Sequence, residues 1–248
     1  MNLNKKIYFL SDFHLGIPNY ASSLEREKRI VRFLDSIKND ASEIYLVGDL
    51  FDFWFEYKNV VPKGFVRVLG KLAELSDSGI SIHIFHGNHD LWQFGYLDQE
   101  IGCTVHSKAI TKIFNGKKFY IAHGDGIGPN QKWFKFILSI YRNYFFQRLF
   151  AFFHPSIGIN IANWFSHRSK QNSFENNAQY FGDDKEYHLL FANEYLKNHE
   201  VDYFILGHRH LSMDKIVGTA HVINLGDWIT YNTYAVFDGE NVELKKYE

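Results

Sequence analysis

Cysteine is almost missing from this chain of 248 residues, where Cys103 stands alone. A lone thiol cannot close an intramolecular disulfide, so the core must hold the fold, and the usage fits a reducing compartment. Cys103 sits in Ile101-Gly102-Cys103-Thr104-Val105 and is expected to be a buried structural thiol. Long apolar runs are missing too. None approaches the ~20 residues of a membrane-spanning helix. The N-terminus passes from Asn4-Lys5-Lys6 into about five apolar residues before Asp12, too few for a secretion signal. The expected location is cytoplasmic. Net charge is close to absent, at -1 with a pI near 6.9, which gives no global pull towards nucleic acid. The last absence is local: from Gly126 to Phe174 there is no Asp or Glu.

What is present is a large apolar complement, 46% of residues with 18% aromatic, enough for a full core. Residues Ile7 to Leu10, Ile44 to Val47, Ile80 to Phe85, Phe119 to Ala122 and Tyr203 to Leu206 read as strands, each bounded by Gly, Asp or His. Between the first three, Leu24 to Ile37 and Phe65 to Leu75 carry helical spacing. Further strands are expected at Ala220 to Leu225 and Tyr234 to Phe237, with a hairpin turn at Asp238-Gly239. The predicted class is α/β, a mixed arrangement of two packed sheets flanked by helices.

The acid-free stretch interrupts this order. It carries Lys132, Lys135, Arg142, Arg148, Arg168 and Lys170 among crowded aromatics that include Trp133, Phe134, Phe136, Tyr144, Phe145, Phe150, Phe152 and Trp164. Helical spacing fits Trp133 to Phe153, with Pro155 just beyond the end. Residues 126–199 are therefore expected to be an inserted helical cap, with 1–125 and 200–248 forming the core.

Five motifs follow expected strands: Ser11-Asp12-Phe13-His14, Gly48-Asp49-Leu50-Phe51-Asp52, Gly87-Asn88-His89-Asp90, His123-Gly124-Asp125 and Gly207-His208-Arg209-His210. Strand ends in open α/β sheets gather ligands, so these side chains are expected to converge. Carboxylate, imidazole and amide donors without thiolate suit Mn²⁺, Fe²⁺, Zn²⁺ or Mg²⁺. Two such ions ~3.5–4 Å apart can clamp a phosphoryl centre, and Asp49 is the natural bridge between them. Asp52, Asp90 and Asp125 are expected to orient neighbours or cap helices. Eight histidines outside the motifs (83, 86, 106, 154, 167, 188, 199 and 221) are expected to be surface or core residues.

In these motifs the chain resembles the calcineurin-like metallophosphoesterases over roughly residues 7 to 226. The resemblance implies one divalent ion on Asp12, His14, Asp49 and His210, and a second on Asp49, Asn88, His123 and His208. Mn²⁺ is the first choice, with Fe, Zn or Mg as other candidates. Hydroxide would attack phosphorus, with His89 as the catalytic histidine.

Within that superfamily, Gly48 to Trp54 is similar to the G-D-L-F-E-x-W stretch of the UDP-2,3-diacylglucosamine hydrolase family of the lipid A pathway. Ser11 to Leu15 resembles its A-D-L-H-L, and Leu225 to Trp228 its L-G-A-W. The insertion falls where that family carries a lipid-binding cap. Arg168 to Ser173 resembles its substrate-contacting loop, which implies that Ser169, Lys170 and Asn172 touch substrate. The implied reaction is hydrolysis of the pyrophosphate bond to UMP and 2,3-diacylglucosamine 1-phosphate. The implied partners are the lipid-linked nucleotide sugar and the inner face of the cell membrane, bound peripherally through aromatic and basic groups. No nucleic-acid partner is expected. The chain departs from the pattern at His89, where those hydrolases have Arg, at Asp227 in place of a small residue, and at Ile229 in place of a histidine. A phosphodiesterase or phosphatase for another lipid-linked or nucleotide substrate is the alternative. A non-catalytic scaffold is expected to have lost ligands, and all seven are present.

Overall fold

A computed structural model describes residues 5–128, 132–161 and 179–248. In β1 (Lys6–Leu10), Ile7 and Phe9 alternate with Tyr8 and Leu10, and all four are buried. A strand dry on both faces needs a packed layer on each side. Ile7 and Phe9 join Tyr45, Phe85, Phe119, Ile121, Tyr203, Ile205, Ile223 and Leu225 in a core between two sheets. Tyr8 and Leu10 face outward onto Ile30, Phe33 and Leu34 of α1 (Tyr20–Ile37) and Leu72 of α2 (Val66–Asp77). Asn19 opens α1 by accepting the Ser22 N–H at 3.0 Å.

The first sheet runs β11-β10-β1-β2-β3-β4. Strands β1, β2 (Ala41–Leu46), β3 (Ser81–Phe85) and β4 (Thr104–His106) are parallel. The hairpin of β10 (Thr233–Phe237) and β11 (Val242–Lys246) turns at Asp238-Gly239 and adds antiparallel to β1. Helix α3 (Tyr96–Ile101) precedes β4 and buries Leu97 and Ile101.

The second sheet runs β5-β6-β7-β9-β8. Its middle strands β6 (Lys117–Ala122), β7 (Tyr203–Leu206) and β9 (Ala220–Leu225) are mutually parallel, flanked by antiparallel β5 (Ile110–Phe114) and β8 (Ser212–Val217). The expected two-sheet sandwich is present. Strands β4, β5 and β8 were not expected from the sequence. Their half-exposed or polar faces give no apolar run for periodicity to find.

Between β6 and β7 lie α4 (Lys132–Tyr141), α5 (Tyr144–Ala151) and α6 (Tyr187–Tyr195). The single helix expected over 133–153 is two, because Asn143 leaves the helical path and caps the next one through the Phe145 N–H at 2.9 Å. Pro155 opens a further helical stretch over 155–161, where its missing N–H costs nothing. Helix α6 sets Leu189 and Ala192 on Phe204, Leu206 and Val222, covering the outer face of the second sheet. Cys103 is buried, and burial pushes its thiol up to about 12. Among the described residues no helix is long and apolar enough to cross a membrane.

Candidate metal centre

The C-terminal ends of β1, β2 and β3 meet those of β6, β7 and β9, and hydrogen bonds lace the two sheets together there. The His123 imidazole Nδ1 lies 2.8 Å from the Val47 carbonyl. The His208 N–H donates to Asp12 Oδ2 at 2.9 Å, and the Trp228 N–H to the Asp12 carbonyl at 3.2 Å. The approach is close enough to need glycine. A Cβ on Gly48, whose φ is +87°, would sit 2.5 Å from His123 Nδ1, and one on Gly87 would land on Asp49 Oδ1. Among the described residues seven non-glycines have positive φ, and four of them are Asp12, His14, Asp49 and His208. Backbone strain of that kind costs of order 1–3 kcal/mol per residue and concentrates at functional sites.

The side chains form three groups of suitable donors. Asp12, His14 and His210 make one, Asp49, His123 and His208 another, and His14, Asp49 and His89 a third between them. His14 Nε2 lies 3.6 Å from Asp12 Oδ1 and 3.7 Å from Asp49 Oδ2. On the other side His123 Nε2 is 3.3 Å from the same Asp49 oxygen and 3.4 Å from Asn88 Oδ1. Asp49 Oδ2 thus stands between the two outer groups. The seven ligand candidates singled out by the motifs meet at one edge, and of the other described histidines only His89 joins these groups.

Burial is the notable electrostatic fact. Asp12 is fully buried and Asp49 is 1% exposed. Burial alone would neutralise Asp49, but the charges of His123, His89 and His14 overcome it and hold the carboxyl well below its usual range. His123 is held well above its usual value by the same pairing, against its own burial. Asp12 Oδ2 accepts from Ser11 and His208, whereas Asp12 Oδ1 has no hydrogen-bond partner among the described residues. A buried carboxylate oxygen left in that position fits a cation. All-oxygen and imidazole donors fit a hard or borderline divalent ion.

His89 is half-buried and stands edge-on to His14, ring centroids 4.9 Å apart. Its Nδ1 lies 3.0 Å from the Asp52 carbonyl, an acceptor only, so that nitrogen carries the hydrogen and Nε2 is left for a reacting group. The Asp52 carboxylate is 3.5 Å from His14 and 3.7 Å from His89. Asp90 accepts the Leu50, Phe51 and Gly87 N–H groups, pinning two motif loops together. Asp125 pairs with Arg142 at 3.1 Å, which brings a cation from the end of α4 to the rim.

Sequence reading missed Asp227. It is buried, and its Oδ2 lies 3.0 Å from His210 Nδ1. The available signal was an apolar strand ending in Gly226-Asp227, the same order as Val47-Gly48-Asp49. Helix α4 lies over the centre, with the Phe134 ring 5.7 Å from that of His208. Phe150 of α5 packs against Phe55 and Trp92 at 4.9 and 4.8 Å, and Trp92 Nε1 donates to the Tyr141 carbonyl. Their other faces leave Trp133, Phe145 and Phe152 73%, 68% and 89% exposed. Ser169, Lys170 and Asn172 lie outside the described residues.

A double sheet with Asp and His at the ends of its parallel strands is the framework of a metal-dependent phosphoesterase. The calcineurin-like phosphoesterase family model matches residues 5–212, and the chain belongs to that family. It is a hydrolase built for divalent metal ions. Among curated proteins it is 40% identical to a UDP-2,3-diacylglucosamine hydrolase of Porphyromonas gingivalis, over 99% of both chains. It is 24% identical to the Yersinia pseudotuberculosis protein of the same name, over 95% of this chain and 96% of that one. An archaeal phosphodiesterase structure aligns over 98% of this chain and 99% of its own, with 15% identity and a TM-score of 0.46.

Proposed function

We propose that the chain hydrolyses the pyrophosphate bond of UDP-2,3-diacylglucosamine to UMP and 2,3-diacylglucosamine 1-phosphate. The observation that carries this reading is the full-length 40% identity to a protein of that name. In it, Asp12, His14, Asp49 and His210 hold one ion, and Asp49, Asn88, His123 and His208 hold the other. We take Mn²⁺ as the physiological choice. Bound ions of this kind supply Lewis acidity to phosphoryl oxygens and acidify water.

The chain's own residues have separable tasks. Asp49 stands between the two ion positions, and Asp52 steadies His14 and His89. His89 presents Nε2 to the phosphoryl oxygen or the leaving group, its hydrogen-bonded Nδ1 fixing the ring. Within residues 126–199, α4 and α5 act as the cap and offer aromatic surface to acyl chains, while α6 packs on the second sheet. Lys132, Lys135, Arg142 and Arg148 attract the diphosphate and an anionic bilayer, so the enzyme works peripherally at the inner membrane face. Ser169, Lys170 and Asn172 contact substrate.

Release of UMP with Mn²⁺ present tests the reading, comparing the diacylated UDP-sugar with its non-acylated counterpart. Strong preference for the acylated substrate is expected. Equal rates would refute an acyl-binding cap. His89, standing where the resembled hydrolases have Arg, favours one second reading, a phosphodiesterase for another lipid-linked or nucleotide substrate. Failure to cleave the diacylated UDP-sugar, with turnover of bis-p-nitrophenyl phosphate intact, would select it.

A further inference from the structure

The turn after β9 is wrapped around one carboxylate. Asp227 Oδ1 accepts the N–H groups of Ile229, Thr230 and Tyr231 at 3.2, 2.7 and 3.1 Å. The Asp227 carbonyl accepts the Asn232 N–H at 2.8 Å, which closes the same turn. Gly226 keeps the turn tight: with φ +72°, a Cβ there would meet Thr233 Oγ1 at 2.5 Å. The second oxygen, Oδ2, is thereby held in a fixed place, 3.0 Å from His210 Nδ1. Both groups are buried, with Asp227 at 1% and His210 at 4%. On the far side of the ring, His210 Nε2 lies 4.0 Å from Asp12 Oδ1, and the ring stacks on His14 with centroids 4.9 Å apart.

We infer that Asp227 is a positioning residue for a metal ion, fixing the tautomer and direction of His210; the inference rests on the two-metal reading above. An ionised carboxylate can only accept, so His210 Nδ1 carries the hydrogen and the lone pair on Nε2 is turned towards Asp12 and His14. A carboxylate behind a ligand histidine also raises its basicity, and loss of such a partner costs about 10- to 100-fold in metal affinity. Asp227 lies beyond residues 5–212, the span that the family model matches. Where a small residue stands at this place, no carboxylate can reach the imidazole. His210 thus has a carboxylate behind it, where His123 at the other ion position has the Val47 carbonyl, 2.8 Å from its Nδ1.

Asp227→Asn separates the two oxygens' tasks. If the amide oxygen keeps the three backbone N–H groups, the amide NH₂ faces His210 Nδ1 and drives the ring hydrogen to Nε2. Mn²⁺ binding by the metal-stripped full chain, followed by equilibrium dialysis and electron paramagnetic resonance, should give two equivalents in the parent. In the variant one of the two is expected to weaken about 10- to 100-fold. Unchanged isotherms, or equal weakening of both, overturn the role of Asp227 and leave the two-metal reading standing. A parent that takes up fewer than two equivalents overturns the two-metal reading, and the inference with it. A second measurement needs no variant: ring ¹⁵N shifts of His210 in the Zn²⁺-loaded parent should place the hydrogen on Nδ1. A hydrogen on Nε2 refutes the inference.

Discussion

Two clusters that include acids and histidines of the first sheet are built in opposite ways. One is the strand-end group around Asp12, His14 and Asp49. The other lies among β2, β3, β4 and β5, where Glu43, Tyr45, His83, His106 and Lys112 meet. In the second cluster Tyr45 donates to Glu43 Oε2 at 2.6 Å, His83 Nε2 stands 3.3 Å away, and Lys112 reaches both Glu43 and the Tyr45 hydroxyl. His83 and His106 share a contact of 3.1 Å. The Glu43 side chain is a quarter exposed, and its charge is met by donors from the protein. The strand-end group is drier, carries two buried carboxylates, and leaves Asp12 Oδ1 without a hydrogen-bond partner among the described residues. A self-satisfied cluster stabilises a fold; one kept short of cations is completed by a ligand.

The contrast breaks most sharply at Asp49. Asp49→Ala should abolish turnover if both ions depend on it, and lower the bound metal measured by mass spectrometry. Full activity with normal metal content would refute the bridging role. His89→Ala should cost less, about 10²- to 10⁴-fold in kcat, the ordinary range for a proton donor. Metal content should stay at the parent level if His89 assists the reaction without holding an ion. Loss of metal in step with kcat would move His89 into the ligand set. A smaller effect concerns stability. Mn²⁺ at 100 times its Kd should stabilise the parent by about 2.7 kcal/mol, read as a rise in Tm that chelation reverses. A chain whose Tm ignores Mn²⁺ would mean that the strand-end group is as self-sufficient as the Glu43 cluster.

How much of this is legible in the sequence follows from the same contrast. Strands β1, β2, β3, β6 and β7 announce themselves, because each is a buried apolar run stopped by Gly, Asp, Asn or His. Their parallel order brings the motifs to one edge, so the meeting of Asp12, Asp49, Asn88, His123 and His208 follows from the spacing. Edge strands β5 and β8 are hidden, since alternating exposure leaves them without a continuous apolar signal. The break between α4 and α5 is hidden for a different reason: Asn143 in an aromatic run looks like helix until its side chain is seen capping Phe145. Asp227 is the instructive miss. Read against a resembling motif it is a departure, yet its contact with His210 spans 17 positions and closes only when β8 and β9 pair. The Glu43 cluster spans further still, from β2 to β5, and no local pattern marks it.

The smallest effect tests that second cluster, whose partners all come from the protein and which needs no added ion. The hydrogen bond from His83, with help from Tyr45 and Lys112, outweighs burial and pulls the Glu43 carboxyl from 4.5 to about 2. A carboxyl lowered on folding contributes stability above its unfolded value and loses it as pH falls through the folded one. Burial pushes the His106 imidazole down to about 4, so it too loses stability on acidification, between pH 6.5 and 4. Glu43→Gln isolates the carboxylate share, roughly 2 kcal/mol at pH 7 once partial exposure is allowed for. Urea midpoints with chelator present, so that no ion contributes, should differ most between parent and variant at pH 7 and 5, and the difference should shrink at pH 3 on the way to convergence near pH 2. A difference that holds constant from pH 7 to 3 would show that Glu43 acts by shape alone. Convergence would leave the fold with one acid-histidine cluster that stabilises by its charge and one that waits for an ion.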